Sequence, residues 1–421
     1  MIKTREELIY LLTKAAELEH LLVCQYLFAA FSIKRFEHEG LSPQQQNAVD
    51  EWGQTLLLIS RQEMEHLGLV SNILTAIGAM PHFERPAFPH TGSYYPFPLV
   101  LERLNLEAVQ RFACVEKPMD VHNPLCKDPA PPDHLMSLGS PTTFTSVAQL
   151  YALIRDAITS IPMSDADLFI GPPSAQVGGD ELDLDFGRIG AVGGVYDVTL
   201  FPVYDRPTAL QAVDLITEQG EGTPHSIPDE PSHYTRFLEM YGEMKNFMSE
   251  DPSFNPARNI VPNPRIWEHD NVKGSTLITD PMTREVMLFF NHSYELMLMM
   301  MIRFYAHTDE TTDEINILKY AAFFPFMTMV IRPLGEMLTT MPAFDKQPDG
   351  PRAGAGFELN FIHSFLPHKK AAWTLMSERM TVISNEMARV AKLPKAPPGL
   401  AYISESIALV NRNFTQNLIA K

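Results

Sequence analysis

Two long helical segments at the start of the chain constrain its fold most. Apolar residues recur with helical spacing over residues 4–36 and again over residues 43–78, as on one face of an amphipathic helix. Between them, Gly40 is typical of a helix end, and Ser42 followed by Pro43 is typical of an N-cap and a first helical position. The sequence therefore predicts an antiparallel hairpin of two helices, each about 45 Å long.

Acidic side chains and a histidine occupy matching heights on this predicted hairpin. Glu19 precedes the turn by about 20 residues and Glu63 follows it by about 20, which places both roughly 30 Å from the turn. Residues 63–66 form an E-x-x-H step, so His66 lies one turn from Glu63 on the same helix face. Tyr26 is two turns from Glu19 on its face. Such a pair of helices is the first half of a dimetal carboxylate site in a four-helix bundle.

Two later helical segments, residues 208–219 and 232–248, are the predicted second pair of the bundle. A long crossover between the second and third helices places the third–fourth turn at the end opposite to the first turn. That end is the height already reached by Glu19 and Glu63. The hairpin spacing and the crossover therefore predict one location for both halves of the site.

The loop that joins this second pair supplies the remaining candidate ligands. It contains Glu218, Glu221 and a second E-x-x-H step, formed by Glu230 and His233. The helical periodicity is indistinct near residue 220, so Glu218 and Glu221 stay alternatives. Glu230 precedes a proline and can instead act as an acidic residue at the helix N-terminus.

Carboxylates combined with imidazoles indicate iron or manganese, whereas structural zinc sites prefer thiolates. Two such ions a few ångströms apart can bind and reduce dioxygen, which predicts O2 and a small molecule as the reactants. Tyr26 is the candidate catalytic residue. The candidate metal ligands are Glu19, Glu63, His66, Glu218, Glu221 and His233.

The rest of the chain is predicted to be nearly all-α. Residues 80–205 are rich in proline and form an insertion in the crossover, which is expected to cover the site. Further helices are predicted over residues 285–307, 314–341, 368–392 and 404–418. We expect a bundle over residues 1–250 and a C-terminal helical region over residues 251–421 that packs on it.

Composition and charge restrict the partners of the protein. The 421 residues carry a formal net charge of −18, which argues against nucleic acid or an anionic membrane. The most apolar run, residues 286–305, contains charged side chains, so no transmembrane helix is expected. The N-terminus shows no signal peptide. A homo-oligomer stays open.

The three cysteines, Cys24, Cys114 and Cys126, show no C-x-x-C spacing. Their odd number leaves no closed set of pairs. Free or buried thiols in a reducing compartment are therefore expected. Together with the N-terminus, this predicts a cytoplasmic protein.

Several sequence segments carry a resemblance to a known family. They are Ala16–His20, Gln25–Leu27, Glu63–Leu67, Ala76–Pro81, Ile216–Gly222 and Ser232–Phe237. On these segments the chain resembles the ferritin-like family that includes the iminophenyl-pyruvate dimer synthases, or chromopyrrolate-type synthases. The resemblance implies a ferritin-like bundle and oxidative chemistry on amino-acid-derived intermediates of secondary metabolism. It also leaves haem open as a cofactor.

The leading hypothesis is a metal-dependent oxidase or oxygenase, with a dinuclear non-haem iron centre and an amino-acid-derived or aromatic substrate. One alternative is oxidative imine coupling of the dimer-synthase type. A second is an iron-binding or storage protein without an organic substrate, which the long insertion and the appended helices disfavour because they can enclose a substrate.

Overall fold

The computed structural model describes residues 2–90, 95, 97–126, 144, 146–178, 200–222, 230–267, 272–360 and 366–419. Its helices are α1 (Arg5–Ser32), α2 (Pro43–Ala76), α3 (Leu106–Val115), α4 (Val147–Ser160), the single turn α5 (Asp165–Leu168), α6 (Arg206–Gly220), α7 (His233–Glu250), α8 (Pro281–Tyr305), α9 (Thr312–Leu338), α10 (Lys369–Val390) and α11 (Leu400–Phe414). Short 3-10 turns occur at Glu37–Glu39 and Pro173–Ala175, and a π turn at Thr415–Ile419 extends α11. Strands β1 (Pro264–Arg265) and β2 (Thr276–Leu277) form a two-residue parallel pair. The described chain is thus nearly all-helical, as predicted.

Both helices of the first hairpin begin at a capping residue, and Ser42 is the cap that the sequence indicates. Thr4 accepts a hydrogen bond from the Glu7 amide, and Ser42 caps α2 in the same way with Pro43 at the first helical position. Beyond α2, Gly78 has a φ of 84°, a left-handed conformation that glycine adopts at helix ends. The helix α1 ends at Ser32 rather than near residue 36, because the Lys34 amide bonds instead to the Pro256 carbonyl at 2.9 Å.

Around this hairpin the helices form two layers. Helix α1 packs along α2, and α3 packs on α7. Helix α4 packs on α1 and on α6, while α6 also contacts α2 and α7. The helix most closely paired with α7 is therefore α3, from the proline-rich insertion, and not the predicted segment 208–219. Helix α3 pairs with α7 because its apolar face, including Phe112, packs on the Phe237 ring at 5.4 Å between centroids.

The C-terminal helices pack directly on the first hairpin. Helix α9 contacts α1 where a Cβ atom at Gly335 would lie only 2.4 Å from the Phe31 ring. Tyr305 at the end of α8 donates a hydrogen bond to the Met64 carbonyl of α2 at 2.9 Å. Helices α10 and α11 pair with each other on the outside of α8 and α9. The expected division at residue 250 stays a prediction.

Helix α9 is the one helix among the described residues that is long and apolar enough to cross a membrane by length and composition. Its best window has a mean hydropathy of 1.3 and is 44% buried. Core helices of globular proteins pass the same test, and α9 packs on α8 and α11. It includes π turns at Leu318–Phe323 and Met327–Ile331, near Pro325 and Pro333, which lack the amide for a regular α-helical bond.

The cysteine expectation is wrong for one pair. Cys114, in the last turn of α3, forms a disulfide with Cys126, and their Cα atoms are 5.3 Å apart. The turns after α3 bring the chain back to that helix, so three cysteines give one pair and one free thiol. Cys24 is that buried free thiol. The cysteines therefore give no support to a reducing compartment.

Candidate metal centre

Five buried side chains from four helices meet between the two layers. Glu19 comes from α1, and Glu63 and His66 from α2. Glu116 is the residue that follows α3, and His233 is the first residue of α7. None of the five side chains is more than 3% exposed. The cluster is thus a water-excluded group of three carboxyl groups and two imidazoles.

These side chains form two triads that share one carboxylate. The Glu19 triad comprises Glu19, Glu63 and His66, and the Glu116 triad comprises Glu63, Glu116 and His233. Within each triad the candidate ligand atoms all lie within 4.8 Å of one another. Glu63 belongs to both, so its carboxylate lies between the two halves.

The two oxygens of Glu63 face different histidines. The Oε2 atom is 3.1 Å from His66 Nδ1, and the Oε1 atom is 3.0 Å from His233 Nδ1. The terminal carboxylates complete each half: Glu19 Oε2 is 3.6 Å from His66 Nδ1, and Glu116 Oε2 is 3.9 Å from His233 Nδ1. Both imidazoles therefore present Nδ1 to the carboxylates.

The far nitrogen of each imidazole contacts a glutamine amide. His66 Nε2 lies 2.9 Å from Gln219 Oε1, and His233 Nε2 lies 3.1 Å from Gln62 Oε1. The Gln62 amide nitrogen in turn donates to Glu230 Oε1 at 3.3 Å. Side chains behind metal-ligating imidazoles commonly orient the ring and fix its tautomer.

A tyrosine holds each terminal carboxylate. Tyr26 donates to Glu116 Oε1 at 2.5 Å, and Tyr151 of α4 donates to Glu19 Oε1. Burial, together with the neighbouring carboxylates, raises the pKa of both phenols well above the ordinary value. Both tyrosines therefore remain hydrogen-bond donors at neutral pH.

Burial and mutual repulsion separate the acidities of the three carboxyl groups. Burial and the charge of Glu63 raise the pKa of Glu19 to about 8 and hold that of Glu116 well above its usual range. Burial opposes ionisation of Glu63 as well, yet His233 and His66 hold its pKa well below the ordinary value. When carboxyl groups share one buried site, repulsion between their charges separates their pKa values in this way.

The pKa values of the two imidazoles shift in opposite directions. Burial disfavours the charged form of His66, but Glu19 and Glu63 outweigh it and raise the pKa of His66 well above its usual range. Burial dominates at His233 and lowers its pKa in spite of Glu63. The two imidazoles thus differ in basicity although both lie beside Glu63.

The donor set suits a cation. Among the described residues, several buried atoms lack a hydrogen-bond partner: Glu19 Oε2, Glu63 Oε1, His233 Nδ1 and Glu221 Oε1. His233 Nδ1 and Glu63 Oε1 are 3.0 Å apart, yet no hydrogen bond satisfies either. Buried carboxylates that lack a partner are costly, and carboxylate and imidazole donors suit iron or manganese. The residues present thus fit one or two divalent ions.

The predicted residues divide into those at the cluster and those beside it. The structure brings together Glu19, Glu63, His66 and His233, and it places Tyr26 against Glu116. Glu221, the residue after α6, is partly buried, and desolvation together with Glu19 raises the pKa of its carboxyl group to about 8.

Two acidic residues considered at the sequence level lie elsewhere. Glu218 lines an open groove with Arg155, Leu215 and Asp214, because it is two residues from the inward-facing Ile216 and so on the opposite helix face. The structure therefore does not bring Glu218 to the cluster, and of the two alternatives it is Glu221 that lies beside the cluster. Glu230 contacts Gln62 rather than the cluster.

The sequence reading missed Glu116. It occupies the same face of α3 as the buried Val109 and Phe112, at the i+7 and i+4 positions. An acidic residue that continues an apolar helix face is the signal that could have identified it. The short length of α3, ten residues, and its place in the proline-rich insertion hid that signal.

Two known enzymes are similar in sequence to this chain. The chain is 29% identical over 435 aligned residues to dichlorochromopyrrolate synthase of Lentzea aerocolonigenes, with 97% of this chain and 41% of that protein covered. It is 28% identical to 2-imino-3-(indol-3-yl)propanoate dimerase of Chromobacterium violaceum, with 81% of this chain and 33% of that protein covered. The chain thus spans about two fifths of the length of the first relative and one third of that of the second.

A solved ferritin-like protein from Caulobacter vibrioides aligns with 19% identity, a TM-score of 0.40, and coverage of 70% of this chain and 84% of that one. The ferritin-like family model matches residues 12–242, which include most of α1, all of α2 and α3 and the first half of α7, with all five clustered side chains. That match covers more than half of the chain. The protein belongs to the ferritin-like family.

Proposed function

We propose that this chain is a metal-dependent oxidoreductase whose centre holds two ions, one in each triad. The observation that carries the proposal is the sharing of Glu63, whose two oxygens face the two imidazoles at 3.0 and 3.1 Å. Glu19 and His66 would be the other ligands of one ion, and Glu116 and His233 would be the other ligands of the second ion. Glu221 would be an additional carboxylate on the Glu19 side.

Iron is the ion we propose, with manganese as the alternative that the same donor set accepts. When bound, such a pair would supply the redox chemistry that reduces dioxygen. The chain itself contributes a buried site without competing water. Tyr26 and Tyr151 fix the terminal carboxylates by hydrogen bonds, and Glu63 links the two halves.

We further propose that the substrate is an imine derived from an aromatic amino acid and that the reaction is oxidative coupling. The names of the two relatives support this, since one is a chromopyrrolate-type synthase and the other a dimerase of an indolyl imino acid. Joining two substrate molecules with loss of one hydrogen from each requires a two-electron acceptor, and O2 fills that role. We expect a cytoplasmic location, by analogy with biosynthetic enzymes.

Metal analysis tests the centre directly. We expect the wild-type protein, loaded anaerobically with Fe²⁺, to hold two equivalents. Glu63→Ala should lose both equivalents, because it removes the shared carboxylate, whereas Glu116→Ala should keep one. A wild-type protein that binds no iron while folded would refute the proposal, and a Soret band after aerobic purification would favour haem instead.

The reaction is tested separately. The iron-loaded protein is mixed with an aromatic α-imino acid, generated in place from the amino acid, and O2 consumption and coupled product are measured. We expect both in the wild type and neither in Glu63→Ala. O2 consumption without a coupled product would support an oxidase activity and refute the proposed coupling reaction.

A further inference from the structure

We propose that Gln62 and Gln219 are positioning residues, each of which orients one imidazole toward its own half of the metal centre. The inference rests on the proposed two-ion site and deepens it. Neither glutamine belongs to a triad, yet each contacts the far nitrogen of one histidine. Gln62 serves His233, and Gln219 serves His66.

The chain from Glu230 through Gln62 to His233 fixes the direction of every hydrogen bond in it. Glu230 as a carboxylate only accepts, so the amide group of Gln62 that faces it at 3.3 Å must be the nitrogen. The Gln62 oxygen is then turned to His233 Nε2 at 3.1 Å, and Nε2 must carry the proton. The lone pair of His233 is left on Nδ1, which faces Glu63 and Glu116 and makes no hydrogen bond among the described residues.

Gln219 plays the corresponding role from another helix. It lies in the last turn of α6, and its amide oxygen is 2.9 Å from His66 Nε2. The next residue, Gly220, lets α6 approach the other half, since a Cβ atom there would lie 3.2 Å from Glu116 Oε2. Helix α6 thus reaches the centre through a positioning side chain.

An amide suits these two positions better than a carboxylate. The centre already contains Glu19, Glu63 and Glu116, with Glu221 nearby, so a further negative charge behind an imidazole would add repulsion between like charges. An amide oxygen accepts the Nε2 proton without adding charge. Each glutamine therefore holds its ring without changing the charge that the two ions must balance.

Single-site backgrounds allow each glutamine to be tested alone, with Co²⁺ alone as the probe in anaerobic titrations. Glu116→Ala leaves the Glu19 triad, and in it Gln219→Leu should weaken Co²⁺ binding by about 10–100-fold, the usual effect of losing such a partner. Gln62→Leu should leave that affinity unchanged. The Glu19→Ala background leaves the Glu116 triad. In it Gln62→Leu should weaken Co²⁺ binding by the same factor, and Gln219→Leu should leave the affinity unchanged.

Acceptor-preserving variants separate positioning from packing. Gln219→Glu keeps the acceptor for His66, and the exchange Gln62→Glu with Glu230→Gln keeps the acceptor for His233. Both should bind Co²⁺ more tightly than the leucine variants do, but less tightly than their parents, because each places a negative charge behind an imidazole. Gln46→Leu is the matched control, since Gln46 lies on α2 but donates to the Lys34 carbonyl. Thermal melting of the metal-free variants checks that each is folded.

The outcomes distinguish this inference from the proposed function. If the wild type binds two Co²⁺ ions and the leucine variants bind as tightly as their parents, the positioning role is refuted while the two-ion site stands. Equal weakening of both halves by either variant, without rescue, would also refute it. If the wild type binds no Co²⁺, both proposals fail.

Discussion

Glu218 and Glu221 are three residues apart, yet they experience different surroundings. Glu218 borders an open groove beside Arg155 and Asp214, where water solvates its charge. Glu221 is partly buried, and its Oε1 atom is inaccessible and lacks a hydrogen-bond partner among the described residues. Burial and Glu19 raise the pKa of the Glu221 carboxyl to about 8, so its charge would be stabilised by an ion at the centre.

We therefore predict that Glu221→Gln weakens Co²⁺ binding by about 10-fold or more, in the range seen for groups next to metal ligands. Glu218→Gln is the matched control from the same helix end and should bind Co²⁺ as the wild type does. Anaerobic titration of the three proteins measures the difference. Equal affinities for wild type and Glu221→Gln would remove Glu221 from the centre.

At the scale of helices, one buried ion pair joins α8 to α10. Glu295 on α8 is fully buried and accepts hydrogen bonds from Arg379 at 2.8 Å and from the Asn360 amide at 2.6 Å. Burial opposes its ionisation, but His292, Asn360 and Arg379 together hold the pKa of Glu295 below the ordinary value of 4.5. The folded state therefore favours the ionised carboxylate.

The resulting stability depends on pH in a defined direction. Because the folded-state pKa is lowered, the contribution of Glu295 is full above pH 4.5 and is lost as the pH falls through the lower folded pKa. We predict that Glu295→Gln lowers the free energy of unfolding at pH 7 by about 1–3 kcal/mol. The difference from wild type should shrink toward pH 3 in urea titrations.

An exposed pair on α10 is the control for this effect. Glu386 and Arg389 are 53% and 60% exposed, so Glu386→Gln should change the free energy of unfolding by less than about 0.5 kcal/mol. A difference for Glu295→Gln that stays constant between pH 7 and pH 3 would show that packing, and not the carboxylate charge, is responsible.

The disulfide connects the segment after α3 to the metal centre. Cys114 and Cys126 are 12 residues apart, and the intervening turns also receive a hydrogen bond from Gln110 to the Leu125 carbonyl at 2.6 Å. Asn123 bonds to the hydroxyl of Tyr234, the residue beside His233, at 3.0 Å. The segment thus ties the end of α3, where Glu116 lies, to the start of α7.

We predict that Cys126→Ser lowers the free energy of unfolding by about 3 kcal/mol, as expected for a closed loop of this length. It should also weaken Co²⁺ binding in the Glu19→Ala background, which depends on Glu116, more than in the Glu116→Ala background. Cys24→Ser is the control, since Cys24 forms no disulfide. Equal effects of the two serine variants would contradict a role for the disulfide.

At the scale of the whole molecule, helices and their ends could be predicted from the sequence, because they depend on neighbouring residues. Contacts between helices that are distant in the sequence could not be predicted. The N-cap at Ser42 and the E-x-x-H of α2 are recognised from neighbours within one turn. Either of two short helices, α3 or α6, could have packed most closely on α7. The sequence does not show which of them does. Glu116 bonds to Tyr26 across 90 residues, and the glutamines behind the imidazoles contact them across 153 and 171 residues.

The same long-range packing bears on whether residues 1–250 form an independent unit. Phe28 and Phe31 on α1 are each 1% exposed, and both lie against the C-terminal region, at Gly354 and Gly335. His20 on α1 also contacts the hydroxyl of Tyr294 on α8. Removing residues 251–421 would expose these side chains at a cost of about 1.5–3 kcal/mol for each large apolar group.

We therefore predict that the full chain unfolds in one cooperative transition and that a fragment of residues 1–250 does not fold alone. Calorimetry of the metal-free chain should give one peak. The fragment should lack the helical far-UV circular dichroism signal that folded α1 and α2 would contribute. Co-expression with residues 251–421 should restore Co²⁺ binding, because the lost contacts are then available in trans. A folded fragment that binds two Co²⁺ ions would instead establish the bundle as a separate domain.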